Sequence, residues 1–304
     1  MATVIVYHVG CPDGTTAAWV TALAHHPAPV IFEAGNYAET LRPPESYADD
    51  DVILVDYSWP RDHLAAVAQH AASVLVLDHH QTAMADLTPP PDGVDVVFDM
   101  DRSGAMIAYD HWTATRPTFT DWALHGWAGK LCAYVQDRDL WRMELPHSQE
   151  VTAWLRLMMP TEVGIDVTAW HVAMENIAWA VYHRFDRVVQ DGALLLARQT
   201  GIVNELADQA WWVSIAGLVV PIAPAVNSVC SDVAAELNRR HPDAPFAAYF
   251  ILGPRDVRVG LRSVGDFDVS EVAKEFGGGG HRNAAGLRLP HDAWIATIKD
   301  WRPR

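Results

Sequence analysis

The chain has 304 residues, of which 50% are hydrophobic and 20% charged, with 19 glycines and 19 prolines; this excludes a mini-protein and a disordered or collagen-like chain, and it leaves room for about two domains. Lys+Arg of 22 against Asp+Glu of 38 gives a formal net charge of -16, a field that repels long polyanions and argues against non-specific binding of duplex DNA. Three widely spaced cysteines, Cys11, Cys132 and Cys230, fit neither a zinc finger nor a redox pair, and they point to a reducing, cytoplasmic setting.

The amino terminus MATVIVYHVG lacks the basic region and small-residue cleavage site of a secretory signal. The longest nearly apolar stretch, Gly217 to Val226, is about half the roughly 20 residues that a membrane-spanning helix needs. A soluble protein is therefore expected, with no membrane partner.

In chain order, Thr3–Tyr7 is an apolar strand, Thr15–Ala24 an Ala-rich helix, Val52–Val55 a second strand, Arg61–Ala72 a helix and Ser73–Leu77 a third strand. Alternation of this kind implies parallel βαβ units. The strands VIVY, VILV and VLVL are apolar throughout, as expected of a sheet covered by helices on both faces. After the loop at Pro89, Pro90 and Pro91, helical patterns cover Ser103–Ala114 and Asp121–Val135. Residues 163–206 are helical and read as a connector. Strands at Trp211–Ile215, Phe246–Leu252 and Val257–Leu261, with a helix at Ser228–Arg239, read as a smaller α/β domain. The expected domains are 1–162, the connector 163–206, and 207–304.

Three consecutive strands run directly into metal-binding residue types: VIVY into His8 and then Asp13, VILV into Asp56, and VLVL into Asp78-His79-His80. Ligands gather beyond the carboxyl ends of parallel strands, so these side chains are expected to converge. Taken singly, each has an ordinary reading: Asp13 as a helix N-cap, Asp56 as the start of the turn before Pro60, and the two histidines as surface or satisfied core groups. Taken together they read as a metal site. Carboxylate oxygens mixed with imidazole nitrogens suit Mn²⁺ best, with Mg²⁺ and Co²⁺ as alternatives.

The segments HVGCPDGTTAAW (8–19), VDYS (55–58), LDHH (77–80), YVQDRDLW (134–141) and GGGGHRNAAG (277–286) resemble, in order, the motifs of the DHH phosphoesterase superfamily with its DHH-associated carboxy-terminal domain. The resemblance covers most of the chain. It implies a bilobed α/β fold: a parallel-sheet catalytic domain, a helical connector, and a smaller α/β substrate-binding domain. It also implies metal-dependent hydrolysis of phosphate esters. By position it makes Asp56 a carboxylate bridging two metals, with His8 on one and Asp13, His79 and Asp137 on the other. Asp139, two residues from Asp137, is an alternative for that last place. Asp78 is expected to orient a neighbouring histidine, and His80 to face the phosphate, so that Asp56, His79 and His80 form the catalytic group.

One departure bears on the metals. Relatives have a carboxylate two residues before the aspartate of the DG pair, where this chain has Cys11, a softer donor. One tight and one weaker metal site are therefore expected.

In the second domain, Gly277 to Gly280 lack Cβ atoms, and their amides can approach an anion closely. His281 and Arg282 follow, and Arg262 ends the preceding strand. Arg262, Gly278, Gly279, Gly280 and His281 are accordingly expected to hold substrate phosphate. Trp19, Trp59 and Trp141 lie close in sequence to the proposed ligands, but with 13 tryptophans in the chain most must be packing residues, and none is assigned to base stacking. His25, His26, His111 and His183 are read as structural or solvated. The acidic charge favours a small phosphate ester or a short single-stranded oligonucleotide over a long strand, with linear dinucleotides and nucleoside bisphosphates included. Inorganic polyphosphate hydrolysis, and a nucleotide sensor with impaired catalysis, are the alternatives. The oligomeric state is left open.

Overall fold

The computed structural model describes residues 2–36, 41–116, 119, 126–160, 162–164 and 166–298. The start of the helix expected over Asp121–Val135 lies outside the described residues. Two compact units divide the chain, Met1–Leu196 and Ala197–Arg304.

The first unit is built on a five-stranded, wholly parallel sheet. Its strands are β1 (Thr3–His8), β2 (Val30–Gly35), β3 (Asp51–Val55), β4 (Ser73–Asp78) and β5 (Val94–Phe98), in the order β2-β1-β3-β4-β5. Alternate residues of one strand enter different cores. Ile5, Tyr7, Ile53, Val55 and Leu77 pack with Trp19, Ile107 and Leu131 on one face, whereas Val4, Val6, Val52, Leu54, Val74 and Val76 pack with Leu64 and Val67 on the other. The unbroken apolar runs in the sequence are thus the two-residue period of strands whose faces are both covered.

The first face is covered by α1 (Pro12–His25), α4 (Gly104–Thr115) and α5 (Trp127–Asp139), with α6 (Ser148–Met158) and α7 (Val167–His183) outside them; α2 (Arg61–Val67) lies on the second face, and the short α3 (Gln81–Asp86) follows β4. From β1 the chain crosses by α1 to β2 on one side and then returns to β3 on the other. The strand order therefore reverses between β1 and β3, and in such sheets the crevice beyond the carboxyl ends at that point is where ligands bind.

Residues 163–206, expected as a connector, hold two helices. α7 buries Trp170, Met174, Ile177 and Val181 in the core of the first unit. α8 (Phe185–Ala207) has residues on both sides of the division after Leu196.

The second unit has a six-stranded sheet, β10-β11-β9-β8-β7-β6, of β6 (Trp211–Ile215), β7 (Leu218–Pro224), β8 (Ala247–Leu252), β9 (Asp256–Arg262), β10 (Gly279–His281) and β11 (Ala284–Pro290). Among the described residues of this sheet only β7 and β8 pair in parallel; they are joined through α9 (Cys230–Arg240), since parallel neighbours need a crossover. α9 packs on one face with Val203 and Ala207 of α8, and α10 (Val269–Glu275) and α11 (His291–Ile298) contribute Val272 and Trp294 to the other. Among the described residues no helix is long and apolar enough to cross a membrane.

Candidate metal centre

Sheet register brings the candidate residues together. Tyr7 of β1 pairs with Val55 of β3, and Val55 with Leu77 of β4; the next residue of each strand is then His8, Asp56 or Asp78. Asp56 ends its strand in the left-handed region, φ 52°, a conformation in which Asp is enriched. Its amide still extends the ladder to the Leu77 carbonyl, at 2.9 Å.

The two oxygens of Asp56 serve two sets of donors. Oδ1 lies 3.1 Å from His79 Nε2, and Oδ2 lies 3.4 Å from His8 Nδ1. His79 Nε2 is also 3.7 Å from Asp13 Oδ2 and 3.7 Å from Asp139 Oδ2. Two ligands on one ion, each at about 2.0–2.6 Å, stand within roughly 5 Å of each other. The sets Asp13–His79–Asp139, Asp56–His79–His80 and His8–Cys11–Asp56 each present donor atoms within 4.8 Å of one another. This oxygen-rich and imidazole-bearing donor set fits a divalent cation of the manganese or magnesium type.

The charges point the same way. Burial pushes the Asp13 carboxyl well above the usual carboxylate range, and Asp56 and Asp139 push it further against the pull of His79. Burial likewise raises Asp139, with His79 opposing and Asp56 adding. Asp56 itself is held below its ordinary value, because hydrogen bonds with His79 and His8 overcome its burial. Burial disfavours charge on His79, yet the Asp56 hydrogen bond and the surrounding carboxylates push its pKa up to about 10. Three crowded carboxylates thus raise the pKa of the imidazole between them. A divalent cation would offset the same crowding more fully.

The supports are specific. The Asp13 carboxylate accepts from the amides of Gly104 (2.7 Å) and Ala105 (3.0 Å), the first residues of α4. It therefore caps a helix 91 residues away, and the N-cap of its own helix is Cys11. Gly104 is dictated by this approach, since a Cβ there would lie 2.5 Å from Asp56 Cβ. Gly14 lets α1 close on β1 in the same way, because its Cβ would meet the His8 carbonyl at 2.3 Å. Asp78, fully buried, accepts from Ser58 Oγ (2.6 Å) and the His79 amide (2.7 Å) and pairs with His80 Nδ1 (2.7 Å). It orients the histidine pair, and its hydrogen bond overcomes burial to push His80 up to about 9. For Cys11, burial raises the thiol pKa well above its ordinary value, and Asp56, Asp139 and Asp13 add to this.

The structure brings His8, Asp13, Asp56, His79 and His80 together. Asp137 is not among them: its carboxylate accepts from the amides of Glu144 (2.9 Å) and Leu145 (3.3 Å) and so anchors a turn. Asp139, the alternative, takes the place beside His79. Residues two apart on a helix lie about 200° apart around its axis, so α5 can aim only one of the two at the site. The α4 amides that hold Asp13 escaped the sequence reading, although Ser103-Gly104 after a loop is an N-terminus signal.

In the second unit, a pocket of about 420 Å³ is lined by Gly277, Gly278 and Gly286, with Asn227, Arg258 and Arg288 among the polar groups. Of the residues expected to hold phosphate, Gly278 lines it, whereas Gly279, Gly280, Arg262 and His281 are not among its lining residues. The Arg262 guanidinium donates to the Leu261 carbonyl (2.9 Å) and to Ser231 Oγ (2.8 Å). Two of the glycines also serve the hairpin: a Cβ at Gly278 would lie 2.2 Å from the Gly286 carbonyl, and one at Gly280 2.5 Å from the Ala284 carbonyl. Arg258 and Arg288, which line the glycine pocket, were not singled out in the sequence; their signal was the alternation of β9 and β11.

A family model described as the DHHA1 domain matches residues 218–301. The chain is 26% identical over 302 residues to an uncharacterized protein of Acanthamoeba polyphaga mimivirus, covering 93% of this chain and 66% of that protein. An exopolyphosphatase-related protein from Bacteroides fragilis matches with a TM-score of 0.58 at 10% identity, over 98% of this chain and 90% of that one. RecJ from Thermus thermophilus, in complex with Mn²⁺, matches with a TM-score of 0.55 at 19% identity, over 98% of this chain and 51% of that one. The solved structures establish a shared fold, and the chain spans about half the length of RecJ and 66% of the viral relative.

Proposed function

We propose that the chain is a metal-dependent phosphodiesterase of the DHH phosphoesterase superfamily, acting in the cytoplasm; the DHHA1 match at residues 218–301 and the fold shared with the exopolyphosphatase-related protein and RecJ support this reading. Its substrates are short oligonucleotides, linear dinucleotides or nucleoside bisphosphates, and Mn²⁺ is its preferred metal. The observation that carries this reading is the placement of Asp56, one oxygen toward His79 and the other toward His8, in a nest of carboxylates that lacks enough positive charge of its own.

Asp13, Asp56, His79 and Asp139 would hold the tighter ion, and His8, Cys11 and Asp56 the weaker one. A divalent ion bound there supplies a nucleophilic water near neutral pH and neutralises charge on the phosphoryl oxygens. The chain's own part is to fix geometry. The α4 amides hold Asp13, Asp78 fixes His80 through Nδ1, and His80 is assigned to a phosphate oxygen of the substrate. In the second unit Gly277 and Gly278, with Arg258 and Arg288, make a pocket suited to an anion; Arg262 and His281 are assigned to the same phosphate-binding role from the sequence.

A substrate panel with Mn²⁺, Mg²⁺ or chelator tests the reading. The expected result is release of mononucleotides from a dinucleotide with Mn²⁺, none with chelator, and no orthophosphate from polyphosphate. Orthophosphate release from polyphosphate with the dinucleotide intact would favour the alternative suggested by the exopolyphosphatase-related fold neighbour. Dinucleotide binding without turnover would favour a sensor.

A further inference from the structure

Three tryptophans lie near the metal-binding residues in sequence, and the structure separates them. Trp19 and Trp59 are 0% and 2% exposed, whereas Trp141 is 39% exposed. Trp141 stands two residues beyond Asp139, and two residues of chain span at most about 7 Å. Its backbone therefore lies at the edge of the carboxylate cluster.

That position is enforced. Trp141 has φ 54°, and Met143, two residues on, has φ 53°. Bulky residues occupy this region only when their surroundings over-determine it. Here the Asp137 carbonyl accepts from the amides of Arg142 (2.9 Å) and Met143 (3.3 Å), while its carboxylate takes those of Glu144 and Leu145. Arg142 Nη2 donates to the Asp101 carbonyl at 2.6 Å, which ties the turn to the loop before α4. The Arg138 guanidinium lies over the indole at 3.9 Å. One face of the ring is thus covered by a cation that fixes its plane, and the ring keeps an exposed surface.

We propose that Trp141, backed by Arg138, is a stacking platform for the base of the nucleotide next to the scissile phosphate. This rests on the phosphodiesterase reading and deepens it: the substrate is recognised by a nucleobase and not only by its phosphate. It also gives the buried Asp137 a purpose, as the clamp that presents Trp141. Stacking accepts any base, because every base has a π face, so adenine and pyrimidine nucleotides are held alike.

The test compares binding of AMP and ribose 5-phosphate, with Mn²⁺ present, by isothermal titration calorimetry. Base–aromatic stacking corresponds to roughly 5- to 150-fold in affinity. The wild-type protein is expected to prefer AMP by a factor in that range. Trp141→Phe keeps most of the preference, while Trp141→Leu, which retains apolar bulk without a π face, loses it as Trp141→Ala does. Equal affinity of the wild-type protein for the two ligands, or a preference for AMP that survives in both the Leu and Ala variants, overturns the platform. Dinucleotide cleavage by the wild-type protein in that event leaves the phosphodiesterase reading standing; absence of cleavage rejects that reading and the platform with it.

Discussion

The two units handle charge in opposite ways. In the first, carboxylates are buried against one another at the ends of β1, β3 and β4, and burial and like charge raise Asp13 and Asp139. In the second, several acids are paired with basic side chains. Glu236 is bound by Arg239 and Arg240, and Arg258 and Arg288 line a glycine-walled pocket, held by Asn227 and Asp256. On the proposed function, the first unit would attract a cation and the second an anion, the two partners that a metal-assisted attack on a phosphate ester requires. The net charge of -16 is therefore a poor guide to either site; local arrangement decides what is attracted.

The sharpest way to break this comparison lies within one helix. Asp139→Asn removes a carboxylate facing His79 and is expected to lower Mn²⁺-dependent hydrolysis by about a thousandfold, several kcal/mol of lost charge stabilisation, without a fall in thermal stability. Asp137→Asn should do the reverse at first order: it weakens two backbone hydrogen bonds and lowers stability by about 1–3 kcal/mol while Mn²⁺ binding persists. Calorimetry and denaturant unfolding of both variants read the two effects separately, and an exchange of roles would refute the assignment.

Gly104→Ala comes next. Its new methyl group would press on the Asp56 side chain, and overpacking of this kind costs about 1–3 kcal/mol. Urea unfolding should show that loss together with weaker Mn²⁺ binding, and a neutral result would mean that the close approach of α4 to Asp56 is wrong. In the second unit, Arg258→Met is expected to raise the KM for a dinucleotide about tenfold and leave Mn²⁺ affinity unchanged, since one decade is about 1.4 kcal/mol, close to the lower end for a charge-assisted hydrogen bond. A change in metal affinity instead would contradict the division of labour.

The smallest effect is expected at Glu236. Arg239 and Arg240 hold its pKa down to about 2, so its contribution is present above the ordinary carboxylate value and disappears as pH falls through about 2. Because Arg239 is well exposed, the contribution is under about 1 kcal/mol. Glu236→Gln should therefore lower stability slightly at pH 7, and urea unfolding of variant and wild type should converge in strong acid. A gap that widens on acidification would contradict the sign.

Much of the first unit is written in its hydrophobic pattern. β1, β3 and β4 are central strands covered on both faces, so their apolar runs and the metal-binding residues that end them stand out. The edge strands β2 and β5 do not, since Ile31 and Val97 are exposed and a half-covered edge leaves a short, mixed pattern. Pattern could not choose between Asp137 and Asp139, because both lie near the end of one helix and only the rotation of α5 decides which meets His79. The tryptophans were ambiguous for a similar reason: proximity in sequence to a ligand does not reveal that Trp19 is fully buried and Trp141 is not. In the second unit the glycine run was legible, but the arginines beside it come from β9 and β11, whose pairing places Arg258 opposite Arg288 only once the sheet is assembled.

Mn²⁺ titrated calorimetrically into chelator-treated wild-type protein and Asp56→Asn tests the central claim most directly. The wild-type protein should bind one ion tightly and a second more weakly, and Asp56→Asn should weaken both, because one carboxylate serves both sets of donors. Binding by Asp56→Asn that matches the wild-type protein, or no Mn²⁺ binding by either, would contradict the account.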